Sequence, residues 1–249
     1  MDGLSRLGRI LSGAAMALFG LLYFFHVRGV GPAPGPPWTA ETGALAWLIG
    51  TGFVVAGLCI ASGIWGRLAA ALLGAAFLLR VVIVYAPRLF EHLHDPGPWT
   101  SGFEIVALAA VALVLAGEPE SLNSMLVEDL VAAGRVLFAV ALIVFAVQHF
   151  LYAKFIATLI PAWIPGHLFW AYFVGAAFVA AALSIATRVQ GRLAATLLGL
   201  MFLLWVIVLH APRVMAAPHN GNEWTSAFMA LAMSGGSFVL AGALRQTDR

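Results

Sequence analysis

The stretch Leu209-His210-Ala211-Pro212-Arg213, followed by Glu223-Trp224-Thr225-Ser226, decides how this chain is read. Its twin stands 125 positions earlier, as Tyr85-Ala86-Pro87-Arg88 and then Trp99-Thr100-Ser101. Each copy closes a long apolar run, crosses a short polar loop and opens another apolar run. A pattern of this length kept at fixed spacing marks one unit written twice.

Working outward, the echo covers most of the chain. Gly66-Arg67-Leu68-Ala69-Ala70 returns as Gly191-Arg192-Leu193-Ala194-Ala195, and Val114-Leu115-Ala116-Gly117 as Val239-Leu240-Ala241-Gly242. Gly8-Arg9 returns as Gly134-Arg135, so the first apolar run belongs to the repeat and is expected to stay in the mature protein rather than act as a signal peptide. The expected units are 1–117 and 132–249. Between them, 118–131 is an acidic linker carrying Glu118, Glu120, Glu128 and Asp129.

Composition sets the environment. Of 249 residues, 62% are hydrophobic and 10% charged, against roughly 25% charged in a soluble domain. Such a chain cannot cover its surface with polar groups, and in lipid it has no need to. The net charge of +2 arises from few groups and no basic run forms, which argues against a nucleic-acid partner. Cys59 is the single cysteine, excluding an intrachain disulfide or a Cys-x-x-Cys redox pair.

Eight runs approach the ~20 residues that cross a bilayer: about 8–26, 43–64, 67–86, 100–117, 132–153, 168–187, 192–210 and 225–243. Proline and glycine punctuate them, notably over 31–37 and 161–165. The expected fold is an all-α membrane protein with eight transmembrane helices. Four helices per unit is an even number, so both units insert the same way, as two parallel-repeat four-helix bundles. Arg6, Arg9, Arg67, Arg135, Arg188, Arg192, Arg245 and Arg249 gather on one side; Arg28, Arg88, Lys154 and Arg213 lie on the other. This bias places both termini in the cytoplasm of a bacterial inner membrane. Trp38, Trp99, Trp163 and Trp224 then read as an aromatic belt at the outer boundary.

The second unit, with Gln148-His149-Phe150, Pro161-Ala162-Trp163-Ile164-Pro165, Gly191-Arg192-Leu193-Ala194, His210-Ala211-Pro212-Arg213 and Trp224-Thr225-Ser226, resembles the DoxX-like family of small four-helix bacterial membrane proteins. The first unit departs from that pattern: Tyr23 stands for His149 and Tyr85 for His210. A member of the wider family serves as a subunit of a thiosulfate:quinone oxidoreductase. The resemblance therefore implies the fold, the location and a link to redox chemistry.

The candidate ligand pocket is His149, Tyr152, His210, Arg213, Glu223 and Trp224 in the second unit. Imidazole donates or accepts a hydrogen bond and binds metals, a range tyrosine lacks. The two histidines are expected at one depth, where they could converge on a ligand. No third ligand accompanies them at tight spacing, so no metal site is assigned and a quinone fits better than haem or metal. His92, His94, Asp95 and Glu91 read as a solvated loop. Arg80 and Glu104 have Trp205 and Met229 as counterparts and read as a structural ion pair, with Ser101 to Glu104 as a capping box. Arg88 and Arg213 follow prolines and are expected at helix C-termini, where the free carbonyls favour a cation.

Two function classes stay open. One is a quinone-interacting or redox-linked subunit whose catalytic residues, if any, are unassigned, with a membrane redox partner or a second copy beside it in the lipid bilayer. The other is a non-enzymatic small-molecule carrier or partner-stabilising scaffold. The topology is directly checkable. Reporters fused at Arg249 and within the Pro212–Glu223 loop should report opposite sides of the membrane, and the same side from both would end the eight-crossing scheme.

Overall fold

The computed structural model describes residues 3–39, 41–117 and 124–245. Glu118 and Glu120 of the expected linker lie outside them. Eight helices are long and apolar enough to cross a membrane: α1 (Gly3–Val27), α2 (Gly43–Ser62), α3 (Gly66–Glu91), α4 (Pro96–Ala116), α5 (Ser124–Leu151), α6 (His167–Thr187), α7 (Gly191–Ala216) and α8 (Gly221–Arg245). Among the described residues there is no strand. The expected linker is helical from Ser124 onward, so Glu128 and Asp129 ride on the first turns of α5.

The all-α, multi-pass reading holds, but the helices do not sort into two separate bundles. Helices α4 and α8 are the most enclosed and form the centre. The triplet α1–α2–α3 leans on α8 through α1 and on α4 through α3. The triplet α5–α6–α7 leans on α4 through α5 and on α8 through α7. Within each half, the first and last helices make at most marginal contact, although they would have to meet to close a bundle. Each half therefore completes its packing with the last helix of the other.

Small residues permit this. Without a hydrophobic force between helices in lipid, backbones must approach closely enough for dispersion to hold them. A Cβ on Gly8 of α1 would lie 2.5 Å from the Gly235 carbonyl and 2.9 Å from Val239 Cγ2 on α8. A Cβ on Gly134 of α5 would lie 2.5 Å from the Ala110 carbonyl and 2.7 Å from Val114 Cγ2 on α4. These contacts use positions equivalent by sequence. So do two helix ties, Arg67 Nε to the Ala116 carbonyl at 3.1 Å and Arg192 Nη1 to the Ala241 carbonyl at 3.3 Å. At the centre, Gly236 of α8 faces Val111 of α4.

Proline does not end α3 and α7 as expected. Each helix widens for one turn, at Val81–Tyr85 and Val206–His210, with Ala86 N–H bonding to the Val81 carbonyl and Ala211 N–H to that of Val206. An i→i−5 turn ahead of Pro87 and Pro212 accommodates a residue that lacks an N–H and crowds the preceding turn. The helices then run on to Glu91 and Ala216, so Arg88 and Arg213 sit one turn before the ends.

Helix α4 likewise starts four residues before the expected run. Asp95 is its cap, accepting from Gly97 N–H at 3.0 Å, and Ser101 to Glu104 lie inside the helix. The capping box is thus replaced by an Asp-Pro start, which satisfies the first free N–H and presets the first turn. Asn220 does the same for α8, accepting from Asn222 N–H at 3.0 Å.

Overpacking these approaches should destabilise the whole protein. Gly13 of α1 has the Gly57 carbonyl 2.5 Å and Ala61 N 2.6 Å from a built Cβ, whereas Gly52 has nothing within 4 Å. Gly13→Val and Gly134→Val should each cost about 1–3 kcal/mol, read as a lower melting temperature in detergent. Gly52→Ala should be neutral or slightly stabilising. Equal effects at Gly13 and Gly52 would refute close backbone approach as the organising contact.

Candidate functional site

The two widened turns deliver Tyr85 and His210 to the same end of the molecule, Tyr85 against the loop that follows α1. The halves treat that end differently.

In the first half, the loop after α1 folds into the helices. Trp38 is 6% exposed, with its ring 5.1 Å from Phe19, 4.9 Å from Phe53 and 5.9 Å from Phe77. Three polar side chains hold the loop's carbonyls. Tyr85 Oη donates to Pro37 O at 2.5 Å, Arg80 Nη2 to the same oxygen at 3.0 Å, and Tyr23 Oη to Thr39 O at 3.0 Å. The Arg80 guanidinium also lies 5.9 Å from the Trp38 ring and 5.8 Å from that of Tyr85, within cation–π range. The loop then docks on α8, where Gly35 N–H donates to Thr225 Oγ1 at 2.9 Å.

Arg80 is therefore committed to the loop, and it forms no ion pair with Glu104. The sequence reading gave Arg80 a charge as partner because nothing in the sequence shows that a loop carbonyl and two rings will reach it first. Trp38 is likewise a core residue rather than part of an interfacial belt. The signal for it was in the chain: Trp38 stands among apolar helices that supply Phe19, Phe53 and Phe77 at matching depth.

In the second half, the corresponding loop stays outside. Trp163 is 71% exposed, and the loop bonds to itself, with Ile164 N–H to Pro161 O at 3.0 Å and the His167 ring Nε2 3.2 Å from the same oxygen. Trp205, the counterpart of Arg80, turns inward instead, 5.3 Å from Phe202 and 6.1 Å from Phe178. An indole on the helix thus covers the phenylalanines that an indole on the loop covers in the first half.

The candidate residues divide into two groups. Arg213 and Glu223 meet in a two-pronged ion pair, Nε to Oε2 at 2.8 Å and Nη2 to Oε1 at 2.9 Å. His210 lies within their electrostatic reach. Trp224, next to Glu223, fixes the turn by donating to Pro218 O at 2.9 Å. Trp99 donates to Leu93 O in the same way. Pro98 replaces Glu223 in the first half, which leaves Arg88 without this carboxylate.

His149 stands apart from that group. Its Nδ1 is 2.8 Å from the Phe145 carbonyl one turn back, and its ring meets the edge of Phe178 at 5.1 Å and 84°. Tyr152 closes α5, its N–H bonded to Gln148 O at 2.8 Å. Helix α6 packs against both α5 and α7, with Phe178 on His149 and Trp205 on Phe178, and among the described residues no hydrogen bond or ring contact joins the two histidines. Equal depth, expected from the repeat, does not by itself place two side chains on facing surfaces.

Among the described residues of the second half, one buried polar side-chain atom at this end lacks a partner. His210 Nδ1 is buried and has no hydrogen-bond partner. The equivalent Tyr85 hydroxyl is satisfied by Pro37 O, the loop carbonyl that the second half does not bring in. A buried unpaired group of this kind costs about 1–3 kcal/mol. Among the described residues no three His, Cys, Asp or Glu side chains gather as a metal site would require. Asp95 of the first polar loop is used as a helix cap.

Comparison with known proteins adds no identity: no family model, no curated protein and no solved structure matches the chain.

The loop should depend on its indole as a hydrophobic body. Trp38 Nε1 is buried without a partner, so Trp38→Phe removes little of value. Trp38→Ala should cost about 3–5 kcal/mol and expose the 32–39 segment to proteolysis. A proteolytic pattern unchanged from wild type in Trp38→Ala would show that the loop is held by its carbonyl bonds alone.

Proposed function

We propose that the protein is a membrane-embedded subunit that binds a small, neutral, ring-bearing ligand of the quinone class beside His210. The carrying observation is the buried, unpartnered His210 Nδ1, set against the satisfied Tyr85 of the other half. Polar groups at membrane depth are costly unless paired, and a ligand oxygen would supply the missing partner. The DoxX-like resemblance of the second unit supports the same reading.

The surroundings fit such a ring. The Arg213–Glu223 pair consumes both charges, so the neighbourhood favours a neutral ligand over an anion. Trp205, five residues before His210 on the same helix, offers an aromatic wall. A quinone bound there supplies reversible two-electron, two-proton chemistry. An imidazole serves both of its forms, because Nδ1 can donate to a carbonyl or accept from a hydroxyl. The electrons must come from a partner, since one cysteine cannot form a dithiol couple. His149, beyond Phe178, orients that ring through its edge contact and is the less critical histidine. A bacterial inner membrane with both termini in the cytoplasm is the location that this reading and the arginine distribution support.

The test is quinone retention after purification in mild detergent and reconstitution with a short-chain quinone. The wild type should retain quinone above the detergent background. His210→Ala should lose it while inserting and melting normally, and His210→Asn, which keeps a hydrogen-bonding nitrogen, should keep part. Tyr85→Phe should retain quinone but melt lower. Retention by His210→Ala equal to wild type would remove the assignment, and absence of quinone binding in the wild type would leave the carrier or scaffold reading.

A further inference from the structure

The opposite end of the second half carries a different unsatisfied group. Arg135, near the start of α5, has Nε and Nη1 buried with no hydrogen-bond partner. Arg188, which ends α6, lies close enough to act on it electrostatically, and its side chain is exposed. Among the described residues no carboxylate pairs with either arginine. Two guanidinium groups within electrostatic reach repel each other, and buried guanidinium nitrogens without an acceptor add a further cost. An anion between them removes both penalties.

The first half differs in what stands beside the equivalent arginine. Arg9 is the counterpart of Arg135, and Gly63 that of Arg188. Gly63 closes α2 at φ +83°, and the Arg9 guanidinium packs on it, Nη1 lying 2.7 Å from where a Cβ would stand. A side chain at that position would push the guanidinium away. The second half has such a side chain, because Arg188 closes α6 in the same left-handed conformation, at φ +66°. A β-carbon is disfavoured there and glycine is the ordinary choice. An arginine thus stands where glycine would be both less strained and better for its neighbour.

We propose that Arg135 and Arg188 form a binding site for a phosphate group, presented by an anionic lipid headgroup or as a free phosphate anion. Guanidinium forks match phosphate oxygens in geometry, and their weak hydration suits a partly buried site. The site lies where α5 and α6 meet the membrane surface, at the end rich in Arg6, Arg67 and Arg192. Basic clefts between helices at such a surface hold lipid headgroups. The site is independent of the His210 reading, which concerns the other end of the molecule.

The experiment is native mass spectrometry of the full chain released from mixed phosphatidylglycerol and phosphatidylcholine micelles, with melting followed in parallel with inorganic phosphate. The wild type should retain phosphatidylglycerol over phosphatidylcholine. Arg135→Gln and Arg188→Gly should each reduce that preference about fivefold, the factor expected for one arginine at an anionic surface. Arg88→Gln, an exposed charge at the other end, should leave it unchanged. Arg188→Gly relieves a strained residue, so its melting temperature should not fall, and lost lipid cannot then be blamed on misfolding. Stabilisation by phosphate that Arg135→Gln abolishes, without preference for phosphatidylglycerol, would assign the site to the free anion. A wild type with neither lipid preference nor phosphate stabilisation, or variants that match it in both, would overturn the proposal.

Discussion

The close approach of helix backbones across the two halves is the contact on which the remaining structure depends. Lipid offers no hydrophobic reward for pairing helices, so α1 meets α8, and α5 meets α4, only because Gly8, Gly235 and Gly134 remove the side chains that would hold them apart. Neither half could close by itself in this arrangement. The central pair α4 and α8 is shared, and each flanking triplet spans it. Stability and site geometry are thereby coupled, since the helix that closes one half also carries residues of the other half's functional end: Thr225 of α8 anchors Gly35 of the first loop.

That coupling explains how two copies of one framework diverge without losing the fold. The framework elements recur at equivalent positions: the widened turns before Pro87 and Pro212, the caps Asp95 and Asn220, and the indole bonds of Trp99 and Trp224. The polar ends do not recur. In the first half Tyr23, Arg80 and Tyr85 are all spent on the carbonyls of one inserted loop. In the second half the loop stays out, Trp205 fills in, and His210 is left with an unsatisfied nitrogen. At the other end the divergence runs through a single exchange, Gly63 against Arg188, which decides whether the neighbouring guanidinium has a place to pack. At both ends the second half carries unmet hydrogen-bonding capacity, at His210 Nδ1 and at Arg135 Nε and Nη1.

The sequence by itself determined the all-α class, the eight apolar helices and their approximate limits. Those follow from local quantities: run length, hydropathy, and the positions of proline and glycine. It also singled out His210, Arg213, Glu223 and Trp224 as neighbours, because residues separated by one short helix–loop–helix turn must come together. Tertiary structure alone decided the rest. Whether Trp38 lies in a core or a belt, whether Arg80 meets Glu104 or the Pro37 carbonyl, and whether His149 faces His210 all depend on which helix stands between two others. Repetition in sequence creates an expectation of equal depth but says nothing about rotation around the helix axes. That rotation is set by the small-residue faces of α1, α4, α5 and α8, and by the loop of residues 32–39 finding room between the helices of its own half.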